Sequence, residues 1–171
     1  VGKDGIQSER SDTTISGNKI KYAGMRGIYI YSGDNCTVDG NQVTGSGNGT
    51  LAGIEVHTDG NTITNNKVLK HAGDGFHIDG NNNTLRDLLA SLCSEDGFDL
   101  EGDGNNNSLV RCTASKCGAE GLDNSADQTD VSASSFTGNR IDVANDGTFA
   151  NFAAKFSTGG ETTNPEVDAS D

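Results

Sequence analysis

The chain has no tryptophan, one proline and one methionine, and apolar residues make up only 32% of it. That is thin for a globule. The bulk of the chain has no helical period, which argues against a helix-built fold, and no apolar run is long enough to cross a membrane. The residues present include no signal-peptide pattern. Cations are scarce: 12 Lys and Arg stand against 25 Asp and Glu, a net charge of −13, so a phosphate backbone would be repelled and nucleic acid is excluded as a partner. The four cysteines form no CxxC pair or His/Cys spacing of the kind that holds zinc.

What the chain does have is a repeat. Gly followed by an apolar residue returns at Gly5-Ile6, Gly27-Ile28, Gly53-Ile54, Gly75-Phe76, Gly97-Phe98 and Gly121-Leu122, with gaps of 22, 26, 22, 22 and 24. In phase with it run Thr14-Ile15, Thr37-Val38, Thr62-Ile63, Thr84-Leu85, Ser108-Leu109 and Asp130-Val131. Six residues after each of those come Ile20, Val43, Val68, Ala90, Ala114 and Phe136. Each unit therefore holds three short strands, joined by Gly-, Asn- and Asp-rich corners such as Ser32-Gly33-Asp34-Asn35 that tolerate left-handed backbone.

Three strands per unit of this length, stacked in parallel coil on coil, predict an all-β fold: a right-handed parallel β-helix of about six coils. In such a solenoid the core is a narrow channel, so a low apolar content suffices. Alternation in Gly27-Ile28-Tyr29-Ile30-Tyr31 and Gly97-Phe98-Asp99-Leu100-Glu101 turns Ile28, Ile30, Phe98 and Leu100 inward. Coils are expected over residues 1–145. Over residues 146–171, Phe149, Phe152 and Phe156 recur at near-helical spacing before a polar tail, Glu161 to Asp171, and read as a C-terminal cap and a disordered end. The chain opens almost directly on its first coil, as a fragment or mature product would.

Asn18, Asn41 and Asn66 share one slot of successive coils, where stacked amides bond along the axis; Leu88, Cys112 and Ser134 end that ladder. Cys36 falls in the corner slot of Asn61, Asn83 and Asn107. Cys93 and Cys117 stand four residues before successive repeat glycines and should be neighbours, either as a disulfide or as buried thiols.

Alignment on the glycines gives two outward columns on the first strand. One is Tyr29, Glu55, His77, Asp99 and Asp123; the other is Tyr31, His57, Asp79, Glu101 and Ser125. Arg26, Asp74, Asp96 and Glu120 precede the glycines. This is either a solvated acidic face or a cation site. Like charges one strand apart repel, and calcium, which takes six to eight oxygens, is the natural counter-ion.

The stretch Cys93-Ser94-Glu95-Asp96-Gly97-Phe98-Asp99-Leu100 resembles the acidic motif Asp-Asp-Gly-Phe/Ile-Asp-Leu of family 9 pectate lyases, with Glu95 replacing the first Asp. The resemblance implies calcium held by Glu95, Asp96 and Asp99, with Asp74 as the further ligand from the preceding coil. Over roughly residues 5–145 the coil pattern is also similar to the repeats of mannuronan C5-epimerases, which use Tyr, His and Asp on the same face. Tyr29, His57, His77 and Asp79 are residues of those types.

Both families remove the proton at C5 of a uronate, a step that needs a neutralised carboxylate, a base and, for a lyase, an acid. The catalytic expectation falls on His77 as base, with Tyr29 and His57. Arg26, Tyr31, Glu55 and Asp79 are expected to contact substrate. After Asp99 the outward first-strand positions offer no Lys or Arg: Lys116 lies in a corner and Arg140 on the third side. The expected partner is an acidic polysaccharide and the expected setting extracellular, in part by analogy of fold. The competing reading is a non-catalytic structural or adhesive module of a surface protein or phage fibre.

Overall fold

The structure is a computed structural model that describes residues 2–45, 47, 49–156 and 161–163. It is a parallel β-solenoid. The first face stacks Ile6–Ser8, Ile28–Ile30, Ile54–Val56, Phe76–Ile78, Phe98–Leu100, Glu120–Asn124, Ile141–Asn145 and Glu161–Thr163 as one eight-stranded sheet. The second face stacks Thr14–Ser16, Thr37–Asp39, Thr62–Thr64, Thr84–Arg86 and Ser108–Val110. The third stacks Lys19–Lys21, Gln42–Thr44, Lys67–Leu69, Leu89–Ser91 and Thr113–Ser115. The long strand Thr129–Thr137 passes through the corner between the latter two and joins them into one twelve-stranded sheet. Every pairing is parallel, and the stack makes about seven turns.

The expected register is present throughout. Ile28 pairs with Ile54, Ile54 with Phe76, Phe76 with Phe98 and Phe98 with Leu122. All five are fully buried, and the Phe76 and Phe98 rings stack with centroids 5.0 Å apart. The repeat glycine is required by close approach: a Cβ on Gly75 would meet the Ala90 Cβ at 2.6 Å and the Gly97 carbonyl oxygen at 2.6 Å. The first strand thus lies against the third strand of its own coil with no room for a side chain.

Each corner contains a column of residues at positive φ. Asp12, Asn35, Asn82 and Asn106 share one; Asn65, Asp87 and Arg111 another; Tyr22, Lys70, Leu92 and Lys116 the third. Asn and Asp tolerate this conformation, whereas Tyr22 (φ 55) and Leu92 (φ 58) are held in it by the coil on either side.

The amide ladder forms as expected. Asn18 donates both its backbone N–H (2.9 Å) and its side-chain amide (3.0 Å) to Asn41 Oδ1, and Asn41 does the same to Asn66. A second buried ladder runs through the Cys36 slot: Cys36 donates its N–H to Asn61, Asn61 to Asn83, and Asn83 to Asn107. Cys93 and Cys117 are buried free thiols on adjacent coils that hydrogen-bond to each other; this bond, then burial, pushes the Cys93 thiol pKa up.

The end of the chain differs from the expectation. Phe149–Phe156, where near-helical spacing was expected, is a strand that pairs in parallel with Thr129–Thr137. Two register shifts let Phe149, Phe152 and Phe156 stack ring on ring at 4.5 and 5.6 Å, which accounts for the irregular spacing. Glu161–Thr163, expected to open a disordered tail, adds a strand to the first face. Residues 164–171 of that tail lie outside the described residues. No helix among the described residues is long and apolar enough to cross a membrane.

Candidate functional site

Period-two alternation leaves one residue in the middle of each first-face strand pointing out, and parallel stacking places these residues on one line. The register links Gln7, Tyr29, Glu55, His77, Asp99, Asp123 and Ala144. Tyr31, His57, Asp79, Glu101 and Ser125 follow on the next position. All the residues expected to act on or contact substrate therefore share one surface.

Glu55 is its centre. It is almost fully buried, with Arg26 Nε at 2.6 Å and His57 Nε2 at 2.8 Å from its two oxygens. Burial pushes its carboxyl up, but Arg26, His57 and the charge of His77 outweigh burial and hold it below the ordinary range. The Arg26 guanidinium lies 3.9 Å from the Tyr29 ring centroid and 3.8 Å from Asp4. Burial leaves the Tyr29 phenol harder to ionise. Its ring meets His57 edge-on at 5.3 Å and Tyr31 at 5.5 Å, and Tyr31 is exposed.

His77 stands one coil on, 5.8 Å from His57 by ring centroids, with Nδ1 2.7 Å from Asp99 Oδ2. Burial pulls its pKa down, but the bond to Asp99 and the charges of Asp99, Glu55 and Glu101 raise it above the ordinary value. The imidazole is thus held toward its cationic form. His57 is bracketed too, with Asp79 3.6 Å from its Nδ1. The third histidine, His71, is interior; burial lowers its pKa to about 4, and its Nδ1 accepts the Gly73 N–H.

The carboxylates expected to hold calcium are only partly gathered. Atoms of Asp74, His77 and Asp99 lie within 4.8 Å of one another. Glu95 is exposed and outside this group. Asp96 is engaged elsewhere: its carboxyl accepts the Glu120 N–H, and burial, together with its side-chain bond to Glu120, raises its pKa to about 9. Burial, then the charges of Asp99 and Glu95, raises Asp74 to about 6. As a calcium site the set offers two oxygen donors close together, on Asp74 and Asp99, while Asp96 lies outside that group with its carboxyl on the Glu120 N–H.

Two features escape a reading of the sequence alone. Asp4 completes the Arg26 network, and Asp74 and Asp96 serve the backbone of the next coil: Asp74 accepts the Asp96 N–H at 2.9 Å as Asp4 accepts that of Arg26. The signal available for the second is an acid recurring one residue before the repeat glycine. Concavities lie at the first coil beside Gln7–Arg10 and beside Asp4, Gln7 and Met25, next to the Arg26 end of the cluster, and on the third face beside Lys19 and Gln42.

Comparison with known families matches residues 4–158 to the family model described as right handed beta helix region. No curated protein and no solved structure matches the chain.

Proposed function

The chain belongs to the right-handed β-helix family, and on that scaffold we propose that the first face acts on an acidic, uronate-type polysaccharide outside the cell by removing the C5 proton of a sugar. The observation that carries this reading is the contact series Tyr29–His57–His77, in which Glu55 bonds His57 in the middle and Asp99 bonds His77 at the end. It sets two half-buried imidazoles beside the largely buried Tyr29 ring, with an exposed Tyr31 ring next to them for a sugar to stack on.

The chemistry divides among these groups by their charge. His77, biased toward its cation by Asp99, faces the uronate carboxylate and disperses the charge that develops on it as the C5 proton leaves. The base role, expected of His77, passes to His57, which Glu55 orients, because Asp99 holds His77 toward its cation. Tyr29, still protonated, donates to the leaving oxygen in a lyase or to the opposite side of C5 in an epimerase. Calcium, where bound, adds positive charge at the substrate carboxylate; Asp74 and Asp99 would hold it.

The test is incubation with polygalacturonate and alginate, following the absorbance of unsaturated product for elimination and proton NMR for epimerisation. His57→Ala and Tyr29→Phe should each lower turnover by roughly 100-fold or more. Polymer binding with neither product would sink the catalytic reading. It would favour the adhesive or structural module, to which one observation already points: Arg26, Glu55 and His57 are tied to one another as in a static network.

A further inference from the structure

The third face has a charge opposite to that of the chain. Its outward row passes through Lys19, Gln42, Lys67, Leu89, Thr113, Ser135 and Lys155. Lys21 opens the neighbouring row, and Lys70 and Lys116 stand at the corner toward the first face. All six lysines are exposed, and none forms an ion pair among the described residues. No outward position of Lys19–Lys21, Gln42–Thr44, Lys67–Leu69, Leu89–Ser91 or Thr113–Ser115 is acidic. The nearby Asp87 is already neutralised by two bonds from Arg111.

This segregation is unexpected in a protein of net charge −13. Lysines collected on one face give a local positive field that the rest of the surface lacks, and such a field attracts a polyanion. Between Lys19, Lys21, Gln42 and Thr44, with Ile20 at the base, lies a notch of about 190 Å3. Lys19 and Lys67 are two coils apart, roughly 10 Å along the axis, so the row follows a linear chain and not a point ligand. Lysine, a hydrated point charge on a flexible stem, holds such a chain without fixing its register.

We propose that the third face is a retention track for a linear polysaccharide bearing carboxylates, separate from the chemistry on the first face. The inference takes the polymer class from the proposed function and adds a second place where it binds. On this reading one stretch of polymer is tethered on the lysines while another, or a neighbouring chain, meets the histidines.

The full chain is titrated with polygalacturonate and with alginate in chelator, by calorimetry, at about 20 and about 300 mM salt, which screen charge over very different distances. Wild type is expected to bind at low salt and lose most affinity at high salt. Combined Lys19→Glu, Lys21→Glu and Lys67→Glu should weaken low-salt binding roughly tenfold or more, with an unchanged melting temperature and unchanged turnover of short oligomers. Wild-type affinity in that variant overturns the inference. Loss of polymer binding in Tyr31→Ala with His77→Ala, and not in the lysine variant, overturns it while leaving the proposed function in place. Product formation without measurable low-salt binding overturns it alone; absence of both binding and product overturns both. Salt-dependent dimers in sedimentation, lost in the lysine variant and without polymer binding, would assign the face to a second copy instead and equally overturn it.

Discussion

Asp96 accepts the backbone N–H of Glu120 from one coil on, at 2.5 Å, while its own N–H is donated to Asp74 one coil back. The acids before the repeat glycines are thus stitches between coils. Burial raises Asp96 to about 9 and Asp74 to about 6, so proton uptake at Asp96 relieves part of the repulsion between them.

A pH dependence of stability follows from this. An acid with a raised pKa binds its proton more tightly when folded, so its contribution is full below the unfolded value and is lost as pH rises toward the folded one. Asp74 and Asp123 lose theirs by about pH 6 and Asp96 by about pH 9, and His77, also raised, loses its own in the same direction. His71, lowered to about 4, works against folding only as pH falls below its ordinary value. The melting temperature should therefore decline from pH 6 to 9, by about 2 to 4 °C per kcal/mol lost. Asp96→Asn should flatten that decline; thermal scans at matched ionic strength that show the same slope in both proteins would contradict it.

Phe76 is fully buried and stacked on Phe98. Phe76→Ala opens a cavity in the middle of the channel and should cost roughly 3 to 5 kcal/mol in urea denaturation. A cost under about 1 kcal/mol would mean that the column is not continuous.

Asn83 receives both the backbone N–H (2.8 Å) and the side-chain amide (2.9 Å) of Asn61. Asn83→Ala strands the buried Asn61 N–H, while the Asn61 amide keeps its bonds to Thr58, so the cost should be roughly 1 to 3 kcal/mol. Asn18, at the start of its ladder, accepts nothing comparable, and Asn18→Ala should cost less. Denaturation midpoints of the two variants measured side by side decide the point.

His77 should titrate above its ordinary value in two-dimensional NMR. Asp99→Asn removes the largest of the influences that raise it, leaving burial to pull it down, so its pKa should fall. An unchanged titration would show that Asp99 does not govern the charge of His77.

For calcium, two carboxylates in an open site imply weak binding, of the order of 10⁻⁴ to 10⁻³ M. At tenfold excess over the dissociation constant the folded state should gain about 1.4 kcal/mol, and Asp74→Asn should remove the gain. A melting temperature indifferent to calcium in the wild type would eliminate the ion from the proposal.

How far the site was legible depends on the residue. His57, His77 and Asp79 are readable as surface residues because parallel stacking keeps every strand in phase with the glycines, so a column is a list of positions one repeat apart. The partners are not readable: whether His77 bonds Asp99 or Glu55 depends on rotamers and on burial at the edge of the sheet. The same limit hid the Asp96–Glu120 bond, since an acid aimed at a backbone N–H and an acid aimed at a cation look identical in a sequence.

By itself, then, the sequence determined the solenoid, its three strands per coil, its inward columns and the first amide ladder. Those follow from local rules repeated at a fixed interval: alternation, glycine where backbones touch, and Asn or Gly where φ is positive. The tertiary structure alone decided that Phe149–Phe156 is a strand, because a strand with bulges has no fixed period to recognise and draws its backbone bonds from Thr129–Thr137. It also decided which acids are charged. Ionisation depends on burial and on the nearest donor, and both are supplied by neighbouring coils more than twenty residues away in the chain.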